Sequence, residues 1–209
     1  MEGFLLPVVL SVKGRACLLL GGSREAECKG LALLRAGARL TILAPILEGL
    51  LHDEVMAGRA CWLNEPFRPN HLDGMWLAVS VVTDAFVNAA LYAAAEERGV
   101  WLNVVDQPHF CTLIWPAIVE RSPVTVAIST GGASPALAGY LRRQIDAWLP
   151  ERLGVLAQRL SEWRARVPGG LETRARFWHD LLEQGMARRF LEGDETGAAN
   201  MVQEALTKK

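Results

Sequence analysis

The stretch Cys17-Leu18-Leu19-Leu20-Gly21-Gly22-Ser23-Arg24-Glu25-Ala26 constrains this chain more than any other. An apolar run long enough for a buried strand meets a tight turn of small residues, and a helix-compatible segment follows at once. That order suits a nucleotide pyrophosphate. The first turn of a helix has free backbone N–H groups and a partial positive charge, and small residues let an anion approach closely. The dinucleotide fingerprint asks for Gly-x-Gly-x-x-Gly/Ala. Here the frame is Gly21-Gly22-Ser23-Arg24-Glu25-Ala26, with Ser23 at the middle glycine. A bland strand-to-helix turn has the same outline, so the flanking chain decides.

The flanks supply a β-α-β unit. Glu25 to Arg35 has apolar or small residues at 26, 30, 31, 33 and 34, a helical stripe closed by Gly37. Arg39 to Leu43 is a second strand, ended by Ala44-Pro45. The acidic residue that usually holds the adenosine ribose at this strand tip is missing. Ribose recognition would therefore use main chain, and the absence of a following arginine favours NAD over NADP.

The alternation continues. Ile46 to Ala57 is read as a helix ending at Gly58, Ala60 to Leu63 as a strand and Pro66 to Gly74 as a loop. Met75 to Val82 is almost uninterruptedly apolar, as a parallel strand buried on both faces would be. Thr83-Asp84 caps a helix from Ala85 to Arg98, Gly99 stops it, and Val100 to Val105 is a fifth strand ending at Asp106. Strands alternating with helices argue for an α/β fold with a doubly wound parallel sheet.

After Asp106 the pattern changes. Leu113 to Val119 and Val124 to Ser129 are extended runs around Arg121-Ser122-Pro123, which predicts a hairpin. Thr130-Gly131-Gly132-Ala133-Ser134-Pro135 is a glycine loop with Ser134 as N-cap and Pro135 at the first helical position. It opens a helix to about Leu149. From Glu151 onward the chain reads as helical, over Arg152 to Arg166, Leu171 to Gln184 and Thr196 to Leu206.

Composition excludes several classes. A formal charge of −1 without blocks of like charge gives no nucleic-acid footprint. Met1 to Leu10 is apolar but carries Glu2 and Pro7 and is too short for a bilayer, so it is read as a lead into the sheet. No later run is long enough to cross a membrane. Cys17, Cys28, Cys61 and Cys111 are irregularly spaced, without a Cys-x-x-Cys pair, and predict a reduced, cytoplasmic protein without a structural metal. Cys17 and Cys61, in predicted strands, are read as small core residues.

Asp106 stands where a parallel strand ends, on the edge where open α/β sheets bind ligands. A carboxylate beside a reacting C–H or N–H is a sensible general base; a loop cap is the plainer reading. His109, three residues on, is either an exposed loop histidine or a cation for an acidic substrate. The Thr130 to Pro135 loop is a second helix N-terminus and thus a second expected anion site. Arg142 and Arg143 are read as solvated surface, and Trp148, Trp163 and Trp178 as core or subunit contact.

Four segments together resemble the precorrin-2 dehydrogenase family, which includes the N-terminal module of the sirohaem synthases. They are Leu20-Gly21-Gly22 through Ala26 and Lys29, Ala36 to Thr41, Asn103-Val104-Val105-Asp106, and Pro116 to Val119 leading to Ala127 through Ala138. The resemblance implies a Rossmann domain over 1–112, a small α+β dimerisation segment over 113–149 and a helical region over 150–209. It implies a cytoplasmic homodimer that uses NAD to oxidise precorrin-2 to sirohydrochlorin. Some members also insert Fe²⁺, a task Asp106 and His109 could serve; otherwise a separate chelatase would be a partner.

Carried over by position, Gly21, Gly22, Ser23, Arg24 and Glu25 would bind the pyrophosphate. Pro45 and Ile46 would lie at the ribose and Thr83 at the nicotinamide side. Asp106 matches the family's key acidic residue, and His109, Ser129, Thr130, Gly131, Gly132 and Ser134 would meet the tetrapyrrole. Two departures stand out: Ser23 replaces the usual glycine, which predicts weaker NAD binding, and Cys28 replaces a commonly basic residue. An NAD(H)-sensing module or a tetrapyrrole-binding scaffold without catalysis is the rival class.

Overall fold

A computed structural model describes residues 5–207. Five strands form one parallel sheet: β1 (Ala16–Leu20), β2 (Arg39–Leu43), β3 (Ala60–Leu63), β4 (Leu77–Ser80) and β5 (Trp101–Val104). Their order is β3-β2-β1-β4-β5, so the chain runs outward from β1 in one direction and then reverses to β4. Helices α1 (Arg24–Arg35), α2 (Gly49–Met56) and α3 (Ala85–Arg98) make the connections. This is the doubly wound sheet expected from the alternation.

Apolar runs are continuous here because both faces are covered. Cys17 and Leu19 join Leu40, Ile42, Leu77 and Val79 in a cluster with Ala26 and Leu33 of α1 and Leu51 of α2. The intervening Leu18 and Leu20 join Ala78, Leu102 and Val104 against Leu91, Ala94 and Ala95 of α3. Period-two alternation thus divides one apolar segment between two cores. Ala26, the last position of the fingerprint, is fully buried, and a Cβ on Gly30 would lie 2.7 Å from a Leu51 methyl. Small residues let α1 lie close on the sheet.

The local caps are those the sequence predicts. Asp84 accepts hydrogen bonds from the backbone N–H groups of Phe86 and Val87, and Gly99 closes α3 in the left-handed region with φ 65°. Where α3 leaves the turn after β4, Asn88 is fully buried. It accepts from the Ser80 hydroxyl at 2.8 Å and donates to the Val82 carbonyl at 2.7 Å, tying the turn after β4 to its helix.

From Pro116 onward the chain forms a second compact unit. An antiparallel hairpin of β6 (Ala117–Arg121) and β7 (Val124–Ile128) turns at a cis Ser122–Pro123 bond. Then follow α4 (Pro135–Trp148), α5 (Leu153–Arg164), α6 (Leu171–Glu183), α7 (Met186–Leu191) and α8 (Glu195–Thr207). Arg121 ties the hairpin to the end of α4, donating to the carbonyls of Asp146 and Leu149 and pairing with the Asp146 carboxylate at 2.9 Å. Leu156, Phe177, Met186, Phe190 and Val202 form the core of the helical part.

Several expectations are corrected. Cys61 is exposed rather than core, because β3 is the edge of the sheet and its burial is incomplete. Residues 5–10 form no strand, and Leu6 and Val9 project into solvent; Met1 to Phe4 lie outside the described residues. Residues 113–116 are not extended hairpin, and Leu113 and Trp115 pack on the first unit's core. Of the two readings of Trp148, core is excluded by its 77% exposure, which leaves subunit contact. Helix α7, between Gly185 and Gly193, is one the sequence reading missed, being too short to show a period.

Burial sorts the four thiols. Cys17 is pushed up to about 11 by desolvation, and Cys111 is raised by the same cause against the pull of the Val104 backbone N–H. A disulfide-exchange reagent at mildly alkaline pH should therefore titrate Cys28 and Cys61 at once and the other two only on unfolding. Rapid reaction of a third thiol in native protein would contradict this burial.

Candidate functional site

All five strands run parallel, so their carboxyl ends share one edge, and the candidate residues of the first unit follow those ends. Gly21 to Glu25 follow β1, Pro45 and Ile46 follow β2, Thr83 follows β4 and Asp106 follows β5. Strand spacing of about 4.8 Å puts the β2 and β5 ends roughly 15 Å apart, with β1 and β4 between them. The β1–β4 gap is the point where strand order reverses, the usual crevice for ligands in such sheets.

The turn after β1 is pressed against its neighbours. Gly21 has φ 110°, and a Cβ there would lie 2.5 Å from a Val81 methyl. At Gly22 a Cβ would lie 2.1 Å from the Ile46 carbonyl oxygen. Both positions therefore require glycine, the first by conformation and space and the second by space alone. Ser23 differs. Its φ of −72° and ψ of 172° suit any residue, and its hydroxyl caps α1 by accepting from Ala26 N–H at 3.4 Å. The serine costs no backbone strain.

Among the described residues, the N–H groups of Gly22, Ser23, Arg24 and Glu25 have no protein acceptor. Four adjacent donors at a helix start, on a turn flattened against the sheet, fit a pyrophosphate. The segment after β2 is fixed from two sides. Trp62 Nε1 donates to the Ala44 carbonyl at 2.8 Å, and Glu27 accepts from Leu50 N–H at 2.6 Å, holding the start of α2 to α1.

Asp106 is the one residue other than glycine with positive φ among the described residues, at 57°. Asp tolerates the left-handed region better than most side chains, though at some cost. The turn that imposes it is closed. Val105 N–H bonds the Ser80 carbonyl, Gln107 N–H the Val104 carbonyl, and Phe110 N–H the Gln107 carbonyl. At its base, buried Cys111 accepts from Val104 N–H at 3.1 Å and donates to the Val104 carbonyl at 3.2 Å. Gln107 Nε2 also reaches the Thr83 carbonyl at 3.4 Å, linking the turns after β4 and β5. The Asp106 carboxylate is left exposed.

His109 is exposed, its ring 4.2 Å from that of Phe110 and tilted 49° to it, and Phe110 meets Tyr92 at 5.9 Å. Sequence reasoning missed two further features of this edge. Cys111 carries no local signal, since only the fold brings its sulfur to Val104. Lys29, on α1, is half-buried, with Nζ 4.7 Å from the Trp115 ring centroid; desolvation draws its pKa down against the charges of Glu25, Cys28 and Asp106. Cys28 beside it is exposed and fills no packing role.

In the second unit, the Ser129 to Ser134 loop is held by its own hydroxyls. Ser129 accepts from Gly131 N–H, and Ser134 caps α4 by accepting from Leu137 N–H. Thr130 accepts from Ser134 N–H and donates to the Ser134 carbonyl, both at 3.1 Å. Gly131 and Gly132 are left-handed, at φ 64° and 84°. Arg142 pairs with Asp146 one turn on, at 3.7 Å.

Comparison with known proteins decides the family. A family model described as "Putative NAD(P)-binding" matches residues 8–117. The chain belongs to this NAD(P)-binding family. Two more models follow in order: "Sirohaem biosynthesis protein central" over 121–147 and "Sirohaem synthase dimerisation region" over 152–206. Siroheme synthase 1 of Aeromonas salmonicida is 38% identical over 204 residues, covering 96% of this chain and 44% of the relative. Siroheme synthase of Azotobacter vinelandii is 39% identical over 204 residues, with the same shares. The chain thus spans less than half the length of these curated relatives. Among solved structures, "SirC, precorrin-2 dehydrogenase" matches with a TM-score of 0.78 at 21% identity, covering 98% of this chain and all of that one. At that identity the likeness is one of fold.

The glycine contacts make a sharp expectation. Gly22→Ala must displace the Ile46 carbonyl or the turn itself, and should weaken NADH binding at least about tenfold while the far-ultraviolet spectrum is unchanged. Titration by NADH fluorescence reads it, and unchanged affinity would take the turn out of the nucleotide site.

Proposed function

We propose that this chain oxidises precorrin-2 to sirohydrochlorin, with NAD as the acceptor. The observation that carries the reading is the Asp106 carboxylate, exposed on a rigid turn at the same sheet edge as the glycine turn of an NAD(P)-binding domain. Support comes from the names of its relatives, siroheme synthases, and of its structural likeness, a precorrin-2 dehydrogenase.

The overall change removes two hydrogens from the substrate, as a hydride and a proton. The bound nicotinamide supplies the hydride acceptor. The chain's own residues do the rest. Gly22 to Glu25 present N–H donors to the pyrophosphate, and the main chain at Pro45 and Ile46 borders the ribose. Thr83, which follows β4, flanks the nicotinamide side. Asp106 takes the proton released as the C–H or N–H bond of the ring breaks. His109 and the Ser129 to Ser134 loop, with Gly131 and Gly132 shaping it, would bind the substrate's carboxylates and ring. The two hydroxyls of Ser129 and Ser134 accept from the backbone, so each still has its proton to donate.

A homodimer fits the same reading. Leu137, Tyr140 and Trp148 lie at helical spacing on α4 and are 49%, 50% and 77% exposed. A stripe of that kind suits a second copy, and a family model named for dimerisation matches the helices that follow. Tyr140→Glu should shift the particle mass from dimer toward monomer by light scattering. A dimer of unchanged strength would move the interface elsewhere.

The central test is absorbance of precorrin-2 incubated anaerobically with the protein, with and without NAD. Conversion that needs NAD supports the reading, whereas tight NADH binding without conversion would make the chain a sensor. Asp106→Asn keeps a side chain tolerant of the left-handed turn while removing the base. It should lower turnover about 10²–10⁴-fold with NADH affinity intact. Wild-type turnover in this variant would remove Asp106 from the mechanism.

A further inference from the structure

We propose that Glu27 sets the preference for NAD over NADP, its carboxylate standing against the 2′-phosphate that only NADP carries. The inference rests on the nucleotide part of the reading above and gives its specificity to a residue outside the glycine turn.

The sequence poses the problem. In doubly wound sheets the adenosine ribose lies past the tip of the second strand. There an acid holds the 2′-hydroxyl of NAD, or an arginine receives the 2′-phosphate of NADP. Leu43-Ala44-Pro45-Ile46 supplies neither. The structure brings an acid to this segment from another element.

Glu27 is the fourth residue of α1, and Gly30 follows it on the same face. Both meet the start of α2. Gly30 lies against a Leu51 methyl, and Glu27 Oε2 accepts from Leu50 N–H at 2.6 Å. Gly49, at φ 67°, has no room for a Cβ because the same carboxylate oxygen fills the space. Glu48, the N-cap of α2, makes no side-chain cap of its own. The Glu27 carboxylate therefore caps α2 from the neighbouring helix. It occupies the place at this helix start that a bound anion would take.

That helix start adjoins the pyrophosphate turn. The Ile46 carbonyl presses on Gly22, so the chain from Ile46 to Leu50 runs from the glycine turn to the Glu27 carboxylate. A ribose whose pyrophosphate sits on Gly22 to Glu25 meets this segment. A 2′-phosphate would need N–H groups or cations here. Pro45 has no N–H, and the Leu50 N–H is already taken. Among the described residues no cation lies within ion-pair distance of Glu27, so its charge is uncompensated. A hydroxyl is neutral and can donate to a carboxylate, whereas a phosphate is repelled by it. Capping alone needs only an acceptor; discrimination needs the charge.

Fluorescence titration of the whole protein with NADH and with NADPH separates the two. The wild type should bind NADPH at least about tenfold more weakly than NADH. Glu27→Gln keeps an oxygen for the Leu50 N–H and removes the charge. It should bring the two affinities within about threefold by tighter NADPH binding, with the NADH constant changed less than about twofold. Glu48→Gln removes a neighbouring charge that caps nothing and should leave the gap as it is. Equal affinities in the wild type would overturn the proposal, as would an unchanged gap in Glu27→Gln. So would a gap closed only by weaker NADH binding, or one closed by Glu48→Gln. A wild type that binds neither dinucleotide would remove the nucleotide site, and this inference with it. The readout involves no tetrapyrrole, so failure to oxidise precorrin-2 is a separate result.

Discussion

The close approach of the turn after β1 to the chain leaving β2 and β4 is the constraint on which the first unit depends. Gly21 lies against Val81 and Gly22 against the Ile46 carbonyl, and neither contact leaves room for a Cβ. Because β1 is central in the strand order, its turn has neighbours on both sides, and their pressure sets the angle at which α1 leaves the sheet. Buried Ala26 and crowded Gly30 continue that contact along the helix. The result is four backbone donors facing out from a rigid edge. Their orientation needs no side chain of its own, which explains why Ser23 can replace a glycine. At that position the backbone is ordinary, and the hydroxyl is put to use as a cap.

Two strands away, Asp106 is fixed by different means. A left-handed aspartate costs on the order of 1 kcal/mol, and an exposed loop would relax from it if it were free to do so. Here the loop closes on itself through Cys111, whose buried thiol serves both the N–H and the carbonyl of Val104. Burial keeps that sulfur protonated, so it can donate as well as accept. The acid is therefore held rigidly while remaining open to a ligand. The base role proposed for Asp106 calls for that combination.

What was legible in the sequence was local. The alternation of apolar runs with capped helices gave the sheet, and Asp84, Gly99, Ser134 and Pro135 act at the helix ends where they were read. Edge and centre were not legible. Ala60 to Leu63 looks as apolar as any inner strand, yet β3 is the last in the sheet and Cys61 faces out. Exposure of Trp148 is likewise a matter of tertiary placement, since helical spacing alone fits a core face as well as an open one. Lys29 and Cys111 were passed over for the same reason. Each owes its surroundings to contacts far along the chain or to a loop closure; Lys29 was read only as part of a family segment, and Cys111 sits in no recognisable pattern.

The two glycine loops, alike in sequence, differ in how their donors are spent. After β1, four consecutive N–H groups have no protein partner among the described residues, and Ser23 caps Ala26. Before α4, the hydroxyls of Ser129, Thr130 and Ser134 accept from the backbone, and Pro135 has no N–H to offer. The first loop thus leaves its main-chain donors open to an anion. The second is built to hold its own shape and present hydroxyl protons. In the proposed function a pyrophosphate meets the former and the acids of the substrate meet the latter. The contrast between open main-chain donors in one loop and spent ones in the other follows from hydrogen-bond accounting alone.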